Sequence, residues 1–145
     1  MHADCRRAVM AAVLVALGVV GVAAQTPKAV PAYDVSFVTG PAGEEATYTG
    51  TTTFQVDATG TVSGTMTIVD PATVRAKLAG KMDKGTWTFE YAYDIPDQGC
   101  TGRLTGTAKV PDDRKVITGT AVVSGECSPE PMNATFTFTL REIKK

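Results

Sequence analysis

Tyr48-Thr49-Gly50-Thr51-Thr52-Thr53-Phe54-Gln55-Val56, then Asp57-Ala58-Thr59-Gly60, then Thr61-Val62-Ser63-Gly64-Thr65-Met66-Thr67-Ile68, is the stretch that decides the fold. In its first segment Tyr48, Gly50, Thr52, Phe54 and Val56 share one face, and Thr49, Thr51, Thr53 and Gln55 share the other. The third segment sets Val62, Gly64, Met66 and Ile68 against Thr61, Ser63, Thr65 and Thr67. A period of two is the signature of a strand with one buried face. Placing Asp57 opposite Thr61 leaves Ala58-Thr59-Gly60 as a three-residue loop, with Gly60 where a positive φ is needed. The two apolar sets then face each other in register.

The unit inside this hairpin, an apolar or aromatic residue followed by Thr or Ser, Gly and Thr, returns as Leu104-Thr105-Gly106-Thr107 and Ile117-Thr118-Gly119-Thr120. In every copy the apolar residue and the glycine lie on the same face, so the inner wall alternates bulk with bare backbone. The other segments keep the period. Tyr33, Val35 and Phe37 precede the breaker Gly40-Pro41-Ala42-Gly43. Val74, Ala76 and Leu78 alternate with Arg75 and Lys77, a strand whose competing reading is a short amphipathic helix over residues 72–79, and Met82-Asp83-Lys84-Gly85 is read as a turn. Trp87, Phe89, Tyr91 and Tyr93 follow on one face of the next strand, and Ile95-Pro96-Asp97-Gln98-Gly99 forms a loop. Ser128-Pro129-Glu130-Pro131 is read as a break before a last strand carrying Ala134, Phe136, Phe138 and Leu140. Eight segments result, each connection short enough for antiparallel neighbours.

The first 24 residues differ in composition. Arg6 and Arg7 precede an uncharged run, Ala8 to Val22, closed by the small residues Ala23 and Ala24. This is the pattern of a removable signal peptide, too short for the ~20 apolar residues of a span. Cys5 precedes the apolar run and so cannot be a lipoprotein's acylated cysteine, which follows it. Residues 25–32, with Pro27 and Pro31, read as a flexible leader, and residues 33–145 as a single domain. The expectation is a secreted or periplasmic protein with no membrane span after cleavage. Removing the signal peptide takes two arginines and one aspartate from totals of 14 Lys+Arg and 15 Asp+Glu, leaving a slightly acidic chain with no basic footprint for nucleic acid. The single histidine, His2, leaves too. Without imidazole, the usual triads, zinc sites and proton shuttles lose their commonest member, so no metal, cofactor or catalytic constellation is expected.

Cys100 and Cys127 test the register. If residue i faces residue 227 − i across the turn around Pro111-Asp112-Asp113-Arg114-Lys115, then Ala108 meets Gly119, Leu104 meets Val123 and Cys100 meets Cys127. Opposed cysteines on one face come close enough to bond, and export to an oxidising compartment favours it, with a gain on the order of 3 kcal/mol.

An apolar face on eight antiparallel strands is hidden by barrel closure or by a two-sheet sandwich. The meander and the inward glycines favour the barrel. An immunoglobulin-type sandwich would set its Trp between distant cysteines, whereas Trp87 precedes both Cys100 and Cys127. The up-and-down order, the hairpin Gly60-Thr61-Val62-Ser63-Gly64-Thr65 and the Gly85-Thr86-Trp87 strand start resemble the calycin superfamily, avidins in particular. The resemblance implies a closed barrel with a ligand site inside it. An avidin-type biotin site draws on several tryptophans, and this chain has one.

Two functional classes follow. In the first, the barrel binds a small apolar or aromatic molecule among Tyr48, Trp87, Phe89, Tyr91, Tyr93 and Phe136; the plainer alternative is that these rings fill the space the glycines vacate. In the second, the chain is a structural or protein-interaction module, an envelope accessory protein or secreted inhibitor, acting through rim loops 95–99 and 128–131 stiffened by the disulfide. The outward Thr-x-Thr arrays could suit a flat regular surface such as ice, but a barrel is curved and β-propensity explains them. Asn133-Ala134-Thr135 matches a glycosylation acceptor, meaningful in a eukaryotic source.

Overall fold

The computed structural model describes residues 30–142. The signal-peptide reading and most of the leader lie outside them. Eight strands follow in order: β1 (Ala32–Thr39), β2 (Ala46–Val56), β3 (Thr61–Asp70), β4 (Val74–Asp83), β5 (Thr86–Ile95), β6 (Cys100–Lys109), β7 (Val116–Gly125) and β8 (Ser128–Leu140). Each pairs antiparallel with the next, and β1 pairs with β8 to close the barrel. Closure resolves the choice against the sandwich.

The β2–β3 hairpin has the register its sequence dictates: Val56 faces Val62, Phe54 faces Gly64 and Thr52 faces Met66. Gly60 has φ 84°, as its loop position requires. The Asp57 carboxylate accepts from the backbone N–H groups of Thr59 (2.8 Å) and Thr61 (3.0 Å) and from the Thr59 hydroxyl (2.6 Å). These bonds hold its pKa below the usual carboxylate value. The β6–β7 register also follows the cysteine argument, with Ala108 opposite Gly119 and Leu104 opposite Val123. Cys100 and Cys127 form a disulfide, their Cα atoms 5.8 Å apart.

Three boundaries differ from the expectation. Ala32 belongs to β1 rather than to the leader, because its partner Thr53 extends the ladder by one residue. Residues 74–79 are strand, as their alternation indicates, but β4 continues to Asp83, because Gly80 and Met82 carry the inward alternation on to meet Phe89 and Trp87. The turn therefore shrinks to Lys84-Gly85, with φ of 47° and 76°, the doubly left-handed geometry of a two-residue hairpin. Ser128-Pro129-Glu130-Pro131 does not break the chain; it begins β8. The prolines are tolerated because the ladder slips there: Val123 faces Met132, Gly125 faces Ser128, and the three residues between have no opposing partner.

Inside, glycines and rings are matched across strands. Phe89 lies between Gly80 of β4 and Gly106 of β6, Gly64 faces Phe54, and Gly119 faces Phe136. The missing side chains let the strands coil tightly. A Cβ on Gly106 would run into the Thr120 carbonyl oxygen and lie 2.8 Å from Ala121 Cα. Trp87, fully buried, centres the packed half, 5.0 Å from Phe54, 4.9 Å from Phe89 and 6.0 Å from Phe138 between ring centroids. Tyr33 stacks on Phe54 at 5.1 Å, and Ile117 and Val62 close the same end. Outward positions are mostly threonine with Arg, Lys and Glu. This wall lacks the apolar belt that a membrane barrel displays.

Candidate functional site

The packed end carries the β2–β3, β4–β5 and β6–β7 turns. The opposite mouth is framed by residues 40–45, 71–73, 96–99 and 126–127, and there the rings give out. A cavity of about 180 Å³ lies under this mouth. Its inner wall is Tyr91, Met66 and Leu104; Phe37, Tyr48, Ile68, Tyr93 and Val123 surround it, and Ala72, Gln98 and Cys127 reach it from the turns. No lining residue carries a formal charge.

Most polar groups in this wall are already engaged. The Thr52 hydroxyl donates to the Thr65 carbonyl at 2.8 Å, so its hydrogen is spent and the Tyr91 hydroxyl donates to Thr52 Oγ1 at 3.1 Å. Burial raises the Tyr91 pKa strongly, with the Thr52 bond opposing, and the phenol stays protonated. The Tyr93 hydroxyl donates to the Ser124 carbonyl at 3.1 Å. Its pKa is raised by burial and by the neighbouring Tyr48 phenol. Thr39 donates to the Asn133 carbonyl at 3.1 Å and Ser128 to the Glu130 carbonyl at 2.9 Å. Tyr48, half-buried, makes no hydrogen bond to another described residue, and Gln98 is exposed at the lip. These two are the groups free to meet a polar atom of a guest.

The six ring residues singled out in the sequence divide between the two halves. Tyr48, Tyr91 and Tyr93 line the cavity; Trp87, Phe89 and Phe136 belong to the packed half. The Trp87 Nε1 has no acceptor among the described residues, an omission worth about 1–3 kcal/mol. Gly80 gives this nitrogen room, since a Cβ there would stand 2.9 Å away. Sequence reasoning missed Phe37, Met66, Ile68, Leu104 and Val123 as cavity residues. The available signal was their height, because all lie toward the strand ends that join at the turns of this mouth.

The rim is tied as well as framed. Besides the disulfide, the Glu126 N–H donates to the Thr101 carbonyl at 3.0 Å, and the Thr101 N–H donates to the Glu126 carboxylate at 3.2 Å. The rim loop expected over residues 128–131 is instead the start of β8, while residues 96–99 form a turn held by the Gly99 N–H on the Ile95 carbonyl at 2.9 Å. Asn133 is exposed on the outer wall. Among the described residues no group of three or more His, Cys, Asp or Glu could hold a metal ion.

No protein-family model matches the chain, and no curated protein matches it. Among solved structures it is similar to a redesigned β-barrel, with 18% identity and a TM-score of 0.54, covering 77% of this chain and 90% of that one. At that identity the likeness carries the fold, a β-barrel, and nothing about a ligand.

Proposed function

We propose that this chain is an exported, non-catalytic barrel that binds one small aromatic or apolar molecule in its open half, in the manner of calycin-type barrels. The observation that supports it is the division of the interior: rings pack one end to closure, while the tyrosine-lined end keeps about 180 Å³. An apolar cavity of about 150 Å³ accommodates benzene, so this one suits a single ring with a short substituent. The Cys100–Cys127 bond is compatible with an oxidising compartment.

Calorimetric titration with benzyl alcohol tests the reading. Binding at millimolar concentrations or below is expected, weakened at least tenfold by Val74→Phe, which places a ring in the mouth, in a variant whose circular dichroism is unchanged. No heat at saturating concentration, or equal binding by the variant, refutes it. Trp87 emission is a poor reporter, because its indole lies outside the cavity wall.

A second reading, a protein-interaction module, is favoured by the doubly tied rim at Thr101 and Glu126. A partner retained from the source's own secretions and lost on Glu126→Ala, with benzyl alcohol inert, would favour it over the first.

A further inference from the structure

The cavity wall is uncharged, so the charge of its guest is set at the mouth. Residues 40–45, 71–73, 96–99 and 126–127 contain Glu44, Glu45, Asp97 and Glu126 and no lysine or arginine. Asp70 ends β3, Asp94 is the last residue but one of β5, and Glu130 lies just past the fourth turn; all of these carboxylates are exposed. The first cations below the rim are opposed by carboxylates: Arg103 forms an ion pair with Glu90 at 2.8 Å, and Arg75 is the register partner of Asp94, whose charge it partly offsets. The packed end is different, with Lys84, Arg114 and Lys115 interspersed among Asp57, Asp112 and Asp113. The negative potential is therefore confined to the mouth that opens onto the cavity, where low-dielectric walls focus it.

The rings below the rim point the same way. Phe37 and Tyr48 meet edge to face at 6.3 Å, and Tyr93 shares the cavity wall with them. Aromatic faces attract a cation through their quadrupoles and offer an anion nothing. Tyr48 supplies a hydroxyl oxygen, and Gln98 a carbonyl oxygen, to accept from an ammonium.

Resting on the cavity being a ligand site, we infer that its guest is cationic: a small aromatic amine whose ring enters among Phe37, Tyr48, Tyr91 and Tyr93 and whose ammonium remains at the acidic rim. Fatty acids and other carboxylates are disfavoured by the same charges.

The test compares three guests of one shape class at pH 7, benzylamine (cationic), benzyl alcohol (neutral) and benzoate (anionic), by calorimetry on the oxidised protein. At low salt the expected affinities fall in that order, with roughly a tenfold step from benzylamine to benzyl alcohol, shrinking to a few-fold at physiological salt as screening shortens from about 30 to about 8 Å. The triple variant Glu44→Gln, Asp97→Asn, Glu130→Gln removes three exposed carboxylates that accept no hydrogen bond in the structure. It should reduce the benzylamine preference by at least half and leave benzyl alcohol unchanged. Equal binding of benzylamine and benzyl alcohol, stronger binding of benzoate, or an unaltered preference in the variant overturns the inference while leaving the cavity reading standing. Failure of all three guests overturns the cavity reading itself.

Discussion

Replacing Gly106 by alanine separates two accounts of the inward glycines by the sign of the effect. If glycine is merely tolerated on β6, alanine stabilises by about 0.5–1 kcal/mol, because it restricts the unfolded chain and suits a strand better. If glycine is required by close approach, the new Cβ collides. It would overlap the Thr120 carbonyl oxygen and stand 2.8 Å from Ala121 Cα, where ordinary contact begins at 3.4 Å, so β6 and β7 must part by several tenths of an ångström or more. Both strands are hydrogen-bonded on their other sides to β5 and β8, and a closed barrel has no free edge along which to relax. Overpacking of this kind costs about 1–3 kcal/mol. For a domain of this size each kcal/mol moves Tm by about 4 °C, so the expected fall is about 4–12 °C by differential scanning calorimetry. Thr105→Ala, one residue away and exposed, should shift Tm by about a quarter of that or less. A Gly106→Ala protein melting at or above wild type would refute the close-approach account.

Phe89→Ala should cost about 3–5 kcal/mol in urea titrations, at the upper end of the range, because Gly80 and Gly106 flank it and neither has a side chain to collapse into the hole; a loss under 2 kcal/mol would contradict the matched packing. Replacing Cys100 and Cys127 together by serine opens a loop spanning 27 residues and should remove about 3–4 kcal/mol, read as a lower urea midpoint, whereas an unchanged midpoint would mean the loop was already constrained in the unfolded chain. Tyr91 gives a pH signature. Its pKa in the folded protein is raised above the ordinary 10.0, so its contribution is complete below about pH 10 and is lost as pH climbs toward the folded value, at no more than about 1.4 kcal/mol per pH unit. Tyr91→Phe should flatten, without abolishing, the alkaline decline in stability, since Tyr33 and Tyr93 are also raised by burial; an identical decline would contradict the burial of that hydroxyl.

Alternation alone was enough to separate inside from outside, because one misplaced residue in a strand would turn every apolar side chain toward water. The same logic made Cys100 and Cys127 a check on the β6–β7 register, and the ladder has that offset. Alternation says nothing of height along the barrel, and the functional question depends on height. Trp87 is the second residue after the Lys84-Gly85 turn and so sits deep at the packed end, while Tyr93, six residues on, stands at the open one. Treating the six rings as one cluster concealed that division. Two ladder slips, at Thr49/Gly50 and Val123/Gly125, were also invisible, because a bulge changes the count of residues without changing their type. Pro129 and Pro131 looked like breakers for the same reason: a proline is excluded from a strand only where its neighbour needs its N–H.

Methyl-resolved NMR during titration with benzyl alcohol tests the half-hollow barrel most directly, because the two halves carry separate methyl reporters. Met66, Ile68, Leu104 and Val123 line the cavity, whereas Val62 and Ile117 lie in the packed end. The account predicts saturable shifts of the first group with the second unmoved. Equal movement in both groups, or no movement in either, would contradict it.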